Sequence, residues 1–312
     1  MTEQEKSIKS TTDYICCDED FRLKDPQSAP LKKSNDRFRF VELVQRSKKK
    51  GKEEDTSDYV RFQLSPIGRL FGEQVDYFVQ TGIHPSIAQF EGFELYPQHL
   101  AITKYYPNGS LQHLLKEIGE GKQHQEWNGT MKSKCAYGLV AAVKYIHNIF
   151  DKKKENFSIH YLCPENIIFD EKNEPKLINY VFGNEKLGKI PNAYIPPELY
   201  QYSIGHRQYE DTWDVGMILY EILTGKVPYN GMKEEQIKNE IINGNLPEFP
   251  PQSSDTDVIV GIIKKCLSKN PEDRPLPSAL YDELSSLSEP LFPGTDKEEY
   301  ENYRKMIKDA TD

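Results

Sequence analysis

The apolar and polar positions of this chain change rhythm along its length. Arg37 to Val44 alternates as a strand with one buried face does, and Tyr59 to Leu64 reads as a second strand. The charge run from Ser47 to Asp55 between them reads as a solvated hairpin tip or flexible loop. Leu70 to Gly82 predicts a helix with Phe71, Val75, Phe78 and Val79 on one face. Ile87 to Phe90 and Phe93 to Leu95 predict strands, and Leu100 to Tyr106 leads into a turn, Pro107-Asn108-Gly109-Ser110-Leu111, that opens the next helix.

From there helical spacing takes over. Thr130 to Asn148 carries Cys135, Leu139, Val143 and Ile146 on one stripe, and the Asp151 to Glu155 charge run after it reads as a solvated insertion. Pro164-Glu165-Asn166 is a turn, Ile167-Ile168-Phe169 a short apolar strand, Asp170 to Glu174 a polar tip, and Lys176-Leu177-Ile178 the returning strand. That hairpin brings Asn166 and Asn179 close together. Asp211 to Tyr220 opens a helix apolar almost all round, so it is expected to be buried, with Asp211 able to cap its start. Val258 to Leu267 and Ser278 to Leu287 are further helices. Thr295-Asp296-Lys297-Glu298 is a capping box opening a helix with Tyr300, Tyr303 and Ile307 on one face. That tail, residues 290–312, is expected to dock on the rest of the chain, to dock on a partner, or to stay solvated. Residues 1–36 are polar and read as a disordered or loosely attached arm, with Tyr14 to Cys17 its one apolar knot.

Composition narrows the class. Of 312 residues 37% are hydrophobic and 29% charged, which suits a soluble globular chain with a substantial core. No run reaches the roughly 18 apolar residues of a membrane span. The first residues lack the apolar core of a signal peptide, and Thr2 stands where myristoylation needs Gly. Five cysteines without paired spacing read as reduced thiols of a cytoplasmic protein. A net charge of −9 argues against nucleic acid or an anionic membrane as partner.

The stretch from Ile159 to Gly183 resembles the catalytic and metal-binding loops of protein kinases, H-R-D-L-x-x-x-N followed by D-F-G. Anchored on Asn166, the resemblance puts Ile159 at the His, His160 at the Arg and Tyr161 at the catalytic Asp. Cys163 stands where a Lys is common, and Asn179 at the D of D-F-G. Tyr194-Ile195-Pro196-Pro197-Glu198 is similar to the A-P-E end of the activation segment, and Asp211 to Tyr220 to the central helix of the large lobe. The resemblance implies an α+β, bilobal protein-kinase-like fold over residues 37–289, with a small mainly β lobe at 37–104 and a large mainly α lobe at 105–289. It also implies that Asp211 braces the catalytic loop and that Arg274 pairs with Glu198. Thr103 would guard the back of the nucleotide cleft, and Lys104, Tyr105 and Tyr106 would form the segment meeting an adenine. Asn108-Gly109-Ser110-Leu111 leans toward the tyrosine-kinase-like group.

The chemistry the family needs is absent from these positions. Gly51 is the one glycine between residues 37 and 66, so no glycine-rich cradle approaches a pyrophosphate. The strand Lys falls on Gln63, or on Phe62 or Arg61 if the register slips, and its helix partner falls on Val75. Tyr161, with a pKa near 10, accepts no proton at neutral pH. Asn166 and Asn179 offer carbonyl oxygens without the charge a magnesium ion usually requires. From Phe182 to Ile195 the segment has no Ser or Thr, and Tyr194 is its one hydroxyl, so the family's phosphorylation switch has no Ser or Thr to act on. No catalytic set survives across Tyr161, Cys163, Asn166 and Asn179. The reading is a pseudokinase, a scaffold or allosteric regulator in signalling, whose partner is a protein such as an active kinase or its substrate. It leaves room for ATP at the Thr103 to Tyr106 segment and argues against magnesium. The alternatives are an atypical active kinase in which Glu165 or Asp170 substitutes, a nucleotide-binding switch, or a purely structural subunit.

Overall fold

The computed structural model of the chain describes residues 15–16, 21–23, 32–33, 40–46, 58–63, 78–81, 83–94, 100–152, 158–159, 162–178, 191–201, 207–251 and 253–312. The chain divides into a small unit, residues 1–83, 88–105 and 186–188, and a large unit, residues 84–87, 106–185 and 189–312.

Strands dominate the small unit. They are β1 Ile15–Cys16, β2 Phe21–Leu23, β3 Lys32–Lys33, β4 Phe40–Arg46, β5 Asp58–Gln63, β6 Phe90–Glu94 and β7 Leu100–Lys104. Their order in the sheet is β1-β6-β7-β5-β4-β2, with β3 also paired to β4. The sheet has a buried core: Val44, Tyr59 and Ile102 form a buried cluster, β7 is buried from Leu100 to Thr103, and Phe78 stacks on Phe90 at 5.2 Å. Strands β1, β2 and β3 fall within residues 1–36, read from the sequence as a disordered or loosely attached arm. They pair with β6 or β4, and backbone pairing needs no apolar signature in the side chains. Ile87 is not part of a strand with Phe90; it makes an isolated parallel bridge to Leu177 in the large unit. Of the helix predicted over Leu70 to Gly82, residues 78–81 are helical. Val75 and the charge run at 47–55 lie outside the described residues.

The large unit is mainly helical. Its helices are α1 Leu111–Gly119, α2 Gly129–Lys152, α3 Pro197–Gln201, α4 Arg207–Thr224, α5 Glu234–Asn243, α6 Asp257–Cys266, α7 Pro277–Ser286 and α8 Lys297–Thr311. A hairpin of β8 Ile167–Phe169 and β9 Pro175–Leu177 carries the Asn166 turn. Helix α2 is the axis, touching α4, α7, α8 and β9. It runs past Asn148 to Lys152, burying Phe150 on the way. Helix α4 begins at Arg207, so Asp211 lies inside it and does not cap it. Helix α5 buries little besides Ile241, which is why hydrophobic spacing did not announce it. The C-terminal helix is capped by Asp296, whose side chain accepts from Glu299 N at 3.0 Å, one residue later than the sequence box. Thr295 is taken by Phe292 O and Ser133 instead. The helix docks on the large unit, burying Tyr300, Tyr303, Ile307 and Thr311.

Candidate functional site

The loop before the hairpin is held at its start by one carboxylate. Asp211 is fully buried; it accepts from Ile159 N at 3.0 and 2.9 Å and from Ser158 Oγ at 2.9 Å. His147 Nε2 lies 2.7 Å from its other oxygen. One turn on, Asp214 Oδ2 accepts from Leu162 N at 3.3 Å. Burial, then the neighbouring Asp211 and Glu210, push the Asp214 carboxyl well above the usual carboxylate range. Two acids on α4 thus grip loop backbone at Ile159 and Leu162. Asp214, His147 and Ser158 were missed by sequence reasoning. The i, i+3 spacing of Asp211 and Asp214 on a buried helix was the available signal.

Cys163 is buried beside this grip, and Pro164 to Asn166 form a 3-10 turn in which Asn166 N donates to Cys163 O at 2.9 Å. Asn166 O accepts from Ile178 N at 2.8 Å, so the turn is tied to the end of β9. Tyr161 and Asn179 lie outside the described residues, as do His160 and residues 179–190.

Farther along, Arg274 meets Glu198 in two parallel bonds, Nη1 to Oε1 and Nη2 to Oε2, both 2.8 Å. Its remaining donors go to Ser268 O, Tyr209 O and, at 3.5 Å, Lys269 O, and its guanidinium lies 5.0 Å over the Trp213 ring. A buried ion pair survives only when its hydrogen bonds are complete, and these are. Tyr194 OH donates to Glu221 Oε1 at 2.5 Å. Burial lifts the Glu221 carboxyl from its ordinary 4.5 to about 7, with the Tyr194 bond pulling the other way. Neither Glu221 nor its pairing was read from the sequence.

In the small unit Gln63 pairs with Leu100, Val60 with Thr103 and Tyr59 with Lys104. Arg61, two residues before Gln63 and one of the alternative Lys positions, pairs with Glu94 at 3.3 Å. Tyr105 N donates to Asp58 O at 3.0 Å, which removes that donor from any adenine. Tyr106 is buried and belongs to the large unit.

A divalent cation of the magnesium type needs hard, anionic oxygens. Asp170 is the carboxylate nearest to Asn166 on the hairpin, and it is already engaged. Its Oδ1 accepts from Lys172 N at 2.9 Å and Glu174 N at 2.8 Å, and its Oδ2 pairs with Lys176 Nζ at 3.0 Å. Asp170 is thus engaged within its own hairpin.

The sequence model of the protein kinase domain family matches residues 72–283. Individual relatives fall on both sides of activity. The chain is 25% identical over 235 residues to an Arabidopsis thaliana protein named "Probably inactive leucine-rich repeat receptor-like protein kinase", covering 67% of this chain and 22% of that one. It is 28% identical over 241 residues to the serine/threonine-protein kinase VIK of Arabidopsis thaliana, covering 71% and 51%. It is 25% identical over 219 residues to the tyrosine-protein kinase Btk of Drosophila melanogaster, covering 67% and 26%. The chain thus spans between about a fifth and a half of the length of these relatives. No described helix is long and apolar enough to cross a membrane.

Proposed function

The chain belongs to the protein kinase family, and on that premise we propose that it is a catalytically inactive member acting in cytoplasmic signalling as a scaffold or allosteric regulator. One contrast carries the reading. The groups that hold the family's loops are in place: Asp211 on Ile159 N and Glu198 on Arg274. The groups that would act on a phosphate are replaced by Tyr161 and Asn179, with Gln63, Phe62 or Arg61 at the Lys position. Phosphoryl transfer is chiefly positioning and neutralisation of charge. A skeleton kept without its charges still presents a shaped surface to another protein, and function follows the site rather than the fold. The engagement of Asp170 in its own hairpin weighs against an atypical active kinase. The partner is a protein, with an active kinase or its substrate as the first candidates, and nucleic acid is disfavoured by the charge of −9. ATP without magnesium is the one cofactor for which the reading leaves room.

The test is a transfer assay with purified chain, labelled ATP, magnesium and a generic protein acceptor. No transfer above background is expected. Transfer that disappears in Asn166→Ala, while that variant melts as the parent does, overturns the proposal.

A further inference from the structure

Helix α2 has a glycine near its middle, where glycine weakens a helix by about 1 kcal/mol relative to alanine. A Cβ at Gly138 would run into Tyr303 OH, Ser86 Oγ and Pro175 Cγ. Three segments therefore converge on one point of α2: the C-terminal helix α8, the 84–87 turn and strand β9. All of these contacts lie within the large unit, to which residues 84–87 belong.

The convergence is hydrogen-bonded. Tyr303 OH and Ser86 Oγ are 3.1 Å apart, and both residues are buried. Ser86 O accepts from Leu177 N at 2.8 Å, and Ile87 bridges to Leu177. The next amide, Ile178 N, donates to Asn166 O at 2.8 Å. Lys176 Nζ reaches Pro85 O at 2.8 Å. A second anchor sits two turns farther along the same stripe of α8. His84 Nε2 is 3.0 Å from Thr311 Oγ1, while His84 Nδ1 accepts from Ser86 N at 3.1 Å. Because Nδ1 is an acceptor, the ring proton is on Nε2 and points at Thr311. This fits a neutral ring, whose pKa burial and then Lys176 lower to about 3.

We propose that α8 is a built-in regulatory strap for the Asn166 loop. Tyr303 is its positioning residue, acting through Ser86 and β9. With α8 docked, the 84–87 turn is fixed, β9 is aligned on it, and Asn166 is held in register by Ile178. Lifting α8 frees Ser86, and the loop loosens while the rest of the helical core stays closed. The inference rests on the Asn166 loop being the functional region. It does not depend on whether that region transfers phosphate.

Residue-resolved hydrogen exchange on the full chain tests it. Tyr303→Phe keeps the ring and removes the hydroxyl, and Gly138→Ala displaces the same contact from the α2 side. In both, exchange at Leu177 and Ile178 is expected to rise about tenfold, as loss of one buried hydrogen bond implies, with α4 amides such as Met217 and Ile218 unchanged. Arg304→Gln is the control. It removes two bonds of the same helix, to Ser285 O and Leu287 O, away from the turn, while the Tyr303–Ser86 contact stays in place, and is expected to leave Leu177 and Ile178 as they are. Unchanged exchange in Tyr303→Phe, uniform acceleration, or the same local pattern in Arg304→Gln overturns the proposal. Because exchange is read without nucleotide, it can fail while the inactive reading stands, and the reverse.

Discussion

At the scale of single residues, two buried charged groups of the large unit are held by several bonds each. Arg274 has Glu198, Ser268 O and Tyr209 O. Asp211 has the Ile159 amide, Ser158 and His147. Both residues were legible in the sequence because each sits inside a family motif, and motifs mark positions whose partners are fixed by the backbone. The chemistry of Glu221 and His84 was not, because it comes from burial and not from neighbours in the chain. They impose opposite pH dependences. The folded Glu221 carboxyl, raised to about 7, holds a proton that the unfolded chain releases near 4.5. Its contribution to stability therefore falls as pH rises from about 4.5 to 7. The folded His84, lowered to about 3, refuses a proton that the unfolded chain takes up near 6.5. Its contribution falls as pH drops from about 6.5 toward 3. Urea unfolding of the parent between pH 4.5 and 6.5 is expected to be flatter than in Glu221→Gln, in which the His84 term is left less opposed and stability declines more steeply on acidification. Parallel profiles would refute the Glu221 assignment.

At the scale of elements, hydrophobic period located the long helices and the central strands to within a few residues. It was silent where backbone alone makes the contact. Strands β2 and β3 are short and have polar surroundings in sequence, β1 lies in the Tyr14 to Cys17 knot, and all three enter the sheet by pairing. At α8 the sequence box was read from Thr295, and the structure caps the helix at Asp296. The choice was made by tertiary bonds from Thr295 that no local rule contains. Close helix approach is likewise invisible until the partner is known. Helices α4 and α6 meet at Gly216, where a Cβ would come within 2.7 Å of Cys266 Cβ and 2.8 Å of Leu267 Cδ2. The first of these atoms is rooted at the backbone and has little room to yield. Alanine gains about 1 kcal/mol of helix propensity but overpacks the contact by about 1 to 3 kcal/mol. Gly216→Ala is expected to melt a few degrees below the parent. A variant as stable as the parent, or more so, would show that the two helices separate freely.

At the scale of the whole molecule, fold and chemistry were legible to different degrees. The family match over residues 72–283 lies mostly in the large unit, where the motif-bearing residues support one another. The α+β organisation follows from strands early and helices late, and the two units have that character. What the sequence alone did not contain was the route from the C-terminal helix to the Asn166 turn, because Tyr303, Gly138, Ser86 and Leu177 are far apart in the chain and meet only in the fold.

The central claim is that these loops lack the charge to grip a metal-bound triphosphate. A melting scan of the purified chain with ATP, with and without magnesium, tests it most directly. A ligand present at about 100 times its dissociation constant adds about 2.7 kcal/mol of stability, well within reach of such a scan. No magnesium-dependent rise in melting temperature is expected. A rise that appears only when magnesium accompanies ATP would contradict the account.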